Sequence, residues 1–189
     1  MGEYMSEHTK KPSYLGLLNA IAVGESRGGE LLSAWAKTTS RADVRAVLDV
    51  VAIREREHGA AFTKRMCELG FSVREKPSDR FSADLACVRS EATDREKFEQ
   101  ILRYQEPARP DALRSLFDDQ NIDPETGALL GRFIAEERDS ENRLRACYAA
   151  LCSETSVPTT EEPLLRDLVA RLDRLTSTLA EIKALRTSA

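Results

Sequence analysis

The sequence lacks the motifs that mark several common classes of protein. None of its four cysteines, Cys67, Cys87, Cys147 and Cys152, stands in a C-x-x-C pair, so zinc knuckles and rubredoxin-type iron sites have no support. The glycine patterns of nucleotide-binding loops are also missing. Alternating apolar strands and Asn-Gly or Asp-Gly hairpin turns do not occur. These absences exclude a motif-based nucleotide fold and leave helices as the expected structure.

Excess positive charge and long apolar runs are missing as well. The net charge of −4 gives no reason to expect a nucleic-acid partner or binding to acidic membranes. No apolar run approaches the roughly 20 residues of a membrane span, and the first 15 residues contain no apolar core of a signal peptide. We therefore expect a cytoplasmic protein without a membrane partner. With 41% hydrophobic and 32% charged residues, the chain suits long helices with one buried face.

Helical periodicity divides most of the chain into segments. Caps and breakers predict a flexible start at 1–12, helix one from Ser13 to Lys37, and helix two from Arg41 to Leu69 before Gly70. They also predict a broken third region over 81–105, with a cap at Thr93 or Asp94, and a short helix at 112–117. Helix four is predicted from the Asp123-Pro124 cap to Cys152. The cysteines within helices are expected to be small buried thiols.

The C-terminal part has a different character. Residues 153–162 are polar and contain a proline, which predicts a linker. Residues 163–189 carry a heptad seam of Leu165, Leu168, Leu172, Leu175, Leu179 and Ile182. This seam predicts a coiled-coil helix that joins two copies of the chain through residues 163–186. A fifth helix packed back on the bundle is the alternative, and an additional protein partner stays open.

Helices two and four show an internal repeat. Shifted by 82 positions, Leu48 aligns with Leu130 and Glu55 with Glu137, and His58 aligns with Ser140. The other apolar positions of the two buried stripes align in the same way. A duplicated helical hairpin that forms a four-helix bundle would leave this pattern.

Carboxylates interrupt the apolar stripe of three helices. Glu25 lies in the stripe of helix one, Glu55 in that of helix two and Glu137 in that of helix four. Three converging buried carboxylates repel one another unless a cation compensates them. His58, three residues after Glu55, shares its helical face and adds an imidazole ligand suited to iron, manganese or zinc. We therefore predict a metal site, with a buried ion-pair network through Arg27, Arg65 or Arg143 as the alternative.

In these residues the chain resembles the ferritin-like superfamily, in particular rubrerythrin-type di-iron carboxylate proteins. That family places a Glu on helix one, E-x-x-H on helix two, a Glu on helix three and E-x-x-H on helix four. Glu25 matches the first element, Glu55 and His58 the second, and Glu137 the Glu of the fourth. The resemblance covers roughly residues 13–153. It implies an all-α four-helix bundle that binds iron and oxidises it with dioxygen or peroxide, as a ferroxidase or peroxidase would.

Two departures qualify what the resemblance implies. Ser140 stands in place of the second His, and none of the third-region glutamates, Glu91, Glu96, Glu99 and Glu106, lies in an apolar stripe. We expect Glu25, Glu55 and His58 to form the better half-site, with Glu137 as a bridge, and one or two ions of iron, manganese or zinc. The alternative function is a metal-free helical scaffold, or an oligomeric interaction module that acts through its C-terminal coiled coil.

Overall fold

The computed structural model describes residues 11–106 and 121–156, and the predicted helical character of the chain is confirmed there. They are α1 (Leu15–Thr38), α2 (Ala42–Glu68), α3 (Asp79–Arg89), α4 (Asp94–Lys97) with a π-helical turn (Phe98–Leu102), and α5 (Pro124–Ser156). No strand occurs in this part. In the same residues, no helix has both the length and the apolar character needed to cross a membrane. The predicted short helix at 112–117 and the predicted coiled coil at 163–189 lie outside the described residues, as does most of the predicted flexible start.

Local chemistry explains where the long helices end. Gly70 ends α2 with a φ of 82°, and the N–H groups of Gly70 and Phe71 bond to the carbonyls of Cys67 and Met66, as in a Schellman motif. Both the Gly70 stop and the Asp123-Pro124 start are confirmed. The predicted cap at Ser13 is wrong, because Tyr14 holds the N-cap position of α1 and makes no side-chain capping bond.

Two further predictions are wrong in detail. The first residues of the predicted linker, 153–156, continue α5, since no helix breaker comes before Pro158. The first compact unit of the chain ends at Leu151. Of the second unit, the structure describes only the last residues of α5. Cys67 is exposed rather than buried, because the adjacent Met66 takes the inward position, and the other three thiols are half-buried.

Two hydrophobic clusters fill the interior. The Trp35 cluster contains Leu31, Leu32, Trp35, Val44, Leu48, Val51, Val88, Phe98, Ile101, Leu144 and Leu151. The Phe62 cluster contains Tyr14, Leu18, Ile21, Phe62, Met66, Leu130, Phe133 and Ile134. Along α1 and α5 the chain passes from the Phe62 cluster to the Trp35 cluster, whereas α2 passes in the opposite direction. Helices α1 and α5 therefore both run antiparallel to α2, and all three cross the level between the clusters.

The third region packs on one cluster only within the described residues. Val88 of α3 and Phe98 of the π-helical turn belong to the Trp35 cluster, and Phe98 meets the Trp35 ring edge-on with centroids 4.7 Å apart. Thr93 caps α4 in a capping box with Glu96, as the Thr93 signal predicts. The turn ends at Arg103, which has a φ of 55°. Ile101, Leu102 and Arg103 at the end of this turn line a cavity.

Replacing Asp123 by alanine is expected to lower the free energy of unfolding by about 2–3 kcal/mol. The carboxylate accepts hydrogen bonds from the Thr126 backbone N–H at 2.9 Å, from the Tyr14 hydroxyl at 2.6 Å and from Arg65 Nη2 at 2.9 Å. It thereby joins α1, α2 and α5. Urea denaturation measures the loss. Glu125→Ala removes a more exposed partner of Arg65 and is the control; an equal loss in both variants would contradict this role for Asp123.

Candidate metal centre

All four residues predicted as metal ligands meet at the level between the two hydrophobic clusters. Glu25 comes from α1, Glu55 and His58 from α2, and Glu137 from α5; we call this set the polar layer. His58 Nδ1 lies 3.1 Å from Glu25 Oε2 and 3.5 Å from Glu137 Oε1. One potential ligand atom from each of Glu25, His58 and Glu137 lies within 4.8 Å of the others. Glu55 lies close enough to Glu25 and Glu137 for their charges to act on it, and it completes the layer.

Close approach of α1 and α2 makes room for the polar layer. A Cβ at Gly28 would collide with Glu55 Oε2, so only glycine leaves that carboxyl in place. A Cβ at Gly59 would lie 3.0 Å from the backbone nitrogen of Ser26. The two glycines therefore let the helix backbones approach where the acidic side chains need space.

His58 is held by carboxylates on both ring nitrogens. Nδ1 faces Glu25 at 3.1 Å, and Nε2 lies 2.7 Å from Glu136 Oε2. Burial alone would lower the pKa of the imidazole, but the surrounding carboxylates of Glu137, Glu25 and Glu136 outweigh it and raise the pKa to about 10. Without a metal ion, His58 is therefore a cation that donates from both nitrogens.

Glu55 is the most strongly perturbed acid of the layer. Burial, followed by the charges of Glu25 and Glu137, raises its pKa to about 9. Burial also raises the pKa of Glu25, against the opposing effect of its hydrogen bond to His58. The metal-free layer consequently keeps Glu55 protonated at neutral pH. This protonation relieves the repulsion that three buried carboxylates would otherwise suffer.

One acceptor of the layer has no hydrogen-bond partner. Glu137 Oε1 is buried, yet His58 Nδ1 directs its hydrogen towards the nearer Glu25 and leaves Glu137 Oε1 unbonded. A buried acceptor without a donor is costly, and native structures contain few of them. A cation among Glu25, His58 and Glu137 would satisfy this oxygen.

Glu136 is a functional candidate that the sequence pattern did not identify. Its carboxylate accepts from His58 Nε2 and is also bound by Arg132 Nε at 2.9 Å. Metal-bound histidines commonly donate their second ring nitrogen to a carboxylate in this way. No pattern in the sequence indicates this role, because Arg132 and Glu136 look like an ordinary i,i+4 surface pair.

The glutamates of the third region do not reach the polar layer. Glu96 closes the capping box with Thr93, and Glu99 accepts from Arg95 and from the Tyr148 hydroxyl. Glu91 is exposed, and Glu106 lies at the cavity near Arg103. Among the described residues, none of these glutamates joins the group of Glu25, His58 and Glu137.

A cavity of about 640 Å³ opens on one side of the polar layer. Glu55, Glu137 and Ser140 lie on its wall beside Gly28. Its apolar lining comes from Leu31, Leu32, Ile101, Leu102 and Leu144. A volume of this size admits small molecules as well as water. The carboxyl groups of Glu55 and Glu137 are therefore approachable from outside, while His58 is buried.

The arginines named for an ion-pair network are bound elsewhere. Arg27 pairs with Glu75, Arg65 with Asp123 and Arg143 with Asp139. That form of the alternative is wrong, since the cation beside Glu25 and Glu137 is His58 itself. A buried ion-pair network is still an alternative to the metal site, but its cation is His58 and its anions are Glu25, Glu136 and Glu137.

Residues 24–28 read G-x-S-x-G, the pattern of a hydrolase nucleophile turn. Here the pattern lies inside α1, and the Ser26 hydroxyl donates to the Ala22 carbonyl of the preceding turn. A nucleophile turn joins a strand to a helix, so this segment does not support a hydrolase.

Comparison with known family models, curated proteins and solved structures finds no match for this chain. The ferritin-like resemblance therefore depends on the quoted residues alone and stays a prediction.

Proposed function

We propose that this protein binds a divalent transition-metal ion in the polar layer. Iron is the expected metal, and manganese and zinc are the alternatives. The observation that carries the proposal is the buried oxygen of Glu137, which accepts no hydrogen bond and lies 3.5 Å from His58 Nδ1 beside Glu25. A dication would satisfy that oxygen and would let Glu55 ionise beside Glu25 and Glu137 without repulsion. An imidazole nitrogen with carboxylate oxygens is a ligand set that these metals accept.

Each residue of the layer has a distinct expected role. Glu25, Glu137 and His58 Nδ1 would hold the ion, and Glu55 would add an oxygen on the side of the cavity. Glu136 would orient the imidazole through Nε2. As the ferritin-like resemblance implies, bound iron would supply reactivity towards dioxygen or peroxide. The flanking hydrophobic clusters would limit water to the cavity side, where a small oxidant enters.

Metal content tests the proposal. Protein from iron-supplemented cells should contain at least one ion per chain by mass spectrometry, and His58→Ala and Glu55→Ala should lose it. Glu57→Ala, which removes an exposed carboxylate from the same helix, should retain it. A wild-type protein that stays metal-free after anaerobic loading with ferrous iron would contradict the proposal.

A metal-free scaffold is the second candidate, and the hydrogen bonds of His58 favour it. An imidazolium between Glu25 and Glu136, with Glu55 protonated, balances much of the charge without any ion. Under this alternative, His58→Ala would destabilise the protein equally with and without added metal. Under the metal proposal, added metal would stabilise only the wild type. The predicted self-association through residues 163–186 lies outside the described residues and stays a prediction.

Replacing Glu136 by alanine is expected to weaken metal binding by about 10- to 100-fold without abolishing it. The imidazole would lose the acceptor that fixes its orientation and raises its basicity, while every proposed ligand atom would remain. Metal titration by calorimetry measures the change, again with Glu57→Ala as the control of equal charge. Unchanged affinity in Glu136→Ala would show that the bond from Nε2 does not support a metal ligand.

A further inference from the structure

We infer that the polar layer holds a single metal ion, with Arg54 and Ser140 filling the place of the second ion of a di-iron site. This inference rests on the proposed metal binding and departs from what the ferritin-like resemblance implies. It defines a mononuclear centre with one histidine and up to three carboxylates.

The described residues supply one compact set of ligands. Glu25, His58 and Glu137 place ligand atoms within 4.8 Å of one another, and the described residues contain no second group of this kind. His58 is the only histidine in those residues. A second ion would have to share the carboxylates already used by the first.

Ser140 occupies the position where the second histidine of the resemblance would stand. Its hydroxyl is buried and accepts a hydrogen bond from Arg54 Nη1 at 3.3 Å. Asp139 holds the same Arg54 nitrogen at 2.5 Å. The position that would complete a second metal site is thus coupled to a guanidinium cation.

A second ion and Arg54 would repel each other. A metal bound at position 140, at a typical ligand distance of roughly 2 Å, would lie within roughly 5 Å of the guanidinium. Two cations at that separation in a partly buried site are strongly unfavourable. The guanidinium of Arg54 is itself a positive charge beside the polar layer. It compensates part of the negative charge that a second metal ion would otherwise compensate.

The carboxylates on the side of the third region are also committed to other partners. Glu141 accepts from the Tyr104 hydroxyl at 2.6 Å and pairs with Arg145. Glu99 pairs with Arg95 and accepts from Tyr148. Neither is free to bridge two ions. The side of the single ion that faces the cavity would consequently be completed by water or a small exogenous ligand.

The test is the stoichiometry of metal bound to the full chain. Anaerobic Fe²⁺ and Mn²⁺ titrations with analysis by mass spectrometry should give one ion per chain, and bound Mn²⁺ should show the paramagnetic resonance spectrum of isolated ions. Two ions per chain, with a spin-coupled spectrum, would overturn the inference while leaving the proposed function intact. No bound ion would overturn the proposed function, and the inference with it.

Two variants separate ligands from neighbours. Ser140→Ala should change the affinity by less than about threefold, because the hydroxyl is not a ligand, whereas His58→Ala should lose the ion. Circular dichroism controls for folding of both variants. A loss of more than about tenfold in a folded Ser140→Ala protein would place Ser140 at the metal and overturn the inference.

Discussion

Replacing Glu55 by glutamine is expected to have opposite effects on the two states of the protein. Without metal, the variant should match the wild type below about pH 4.5 and become progressively more stable than the wild type as the pH rises towards about 9. Metal affinity should fall by at least about 100-fold, because a neutral amide replaces an anionic ligand. The reason for the first effect is that burial keeps Glu55 protonated in the folded wild type while the unfolded wild type ionises it, whereas glutamine has nearly the shape of a protonated glutamate and ionises in neither state.

The pH dependence follows from the proton that the folded state retains. The pKa of Glu55 rises from 4.5 in the unfolded chain to about 9, so between these values folding takes up a proton and stability falls as pH rises. His58 adds to this trend, since its stabilising contribution is complete below its unfolded pKa of 6.5 and is lost as pH rises towards about 10. Through these two groups the metal-free wild type should therefore lose stability above about pH 4.5, and more steeply above about pH 6.5.

Urea denaturation in a chelator, at several pH values, tests both statements. The wild-type slope should exceed that of Glu55→Gln by at most about 1.4 kcal/mol per pH unit between neutral pH and about pH 9. Glu57→Gln is the control and should keep the wild-type slope, since its side chain is exposed. Identical slopes in the wild type and Glu55→Gln would mean that Glu55 is ionised in the folded protein.

Much of the helical structure was predictable because local signals and the apolar period agree. The Gly70 stop, the Asp123-Pro124 start and the Thr93 cap each depend on residues within one helical turn. The apolar stripes predicted the polar layer for the same reason, since a charged residue in such a stripe must face the interior. These features require only neighbours along one helix.

The contacts between helices were not predictable from such local patterns. Glu136 meets His58 because α5 crosses α2 with that face turned inward, and nothing near Glu136 in the sequence indicates it. Arg54 is not part of the apolar stripe of α2, yet it reaches Ser140 and Asp139 on α5. The Gly28 gap likewise depends on where Glu55 of another helix points. A single sequence shows which face is buried but not which atoms meet there.

Metal uptake is expected to release about two protons per ion near neutral pH, one from His58 and one from Glu55. The imidazole must lose the proton on Nδ1 to become a ligand, whereas Nε2 keeps its proton for Glu136. Glu55 must lose the proton that its raised pKa retains. The apparent affinity should therefore rise about 100-fold for each pH unit below about pH 9, where both groups are protonated in the metal-free protein.

Calorimetric titration in buffers of different ionisation enthalpy counts these protons directly. Glu55→Gln should release about one proton fewer than the wild type, because its amide has none to lose on binding, and its remaining affinity should show a correspondingly weaker pH dependence. Glu57→Gln should match the wild type. Metal binding without proton release would contradict this account, because a metal could then not have displaced the hydrogen bonds of His58. In that case the ion would be bound away from the polar layer, and the buried histidine would serve the metal-free network instead.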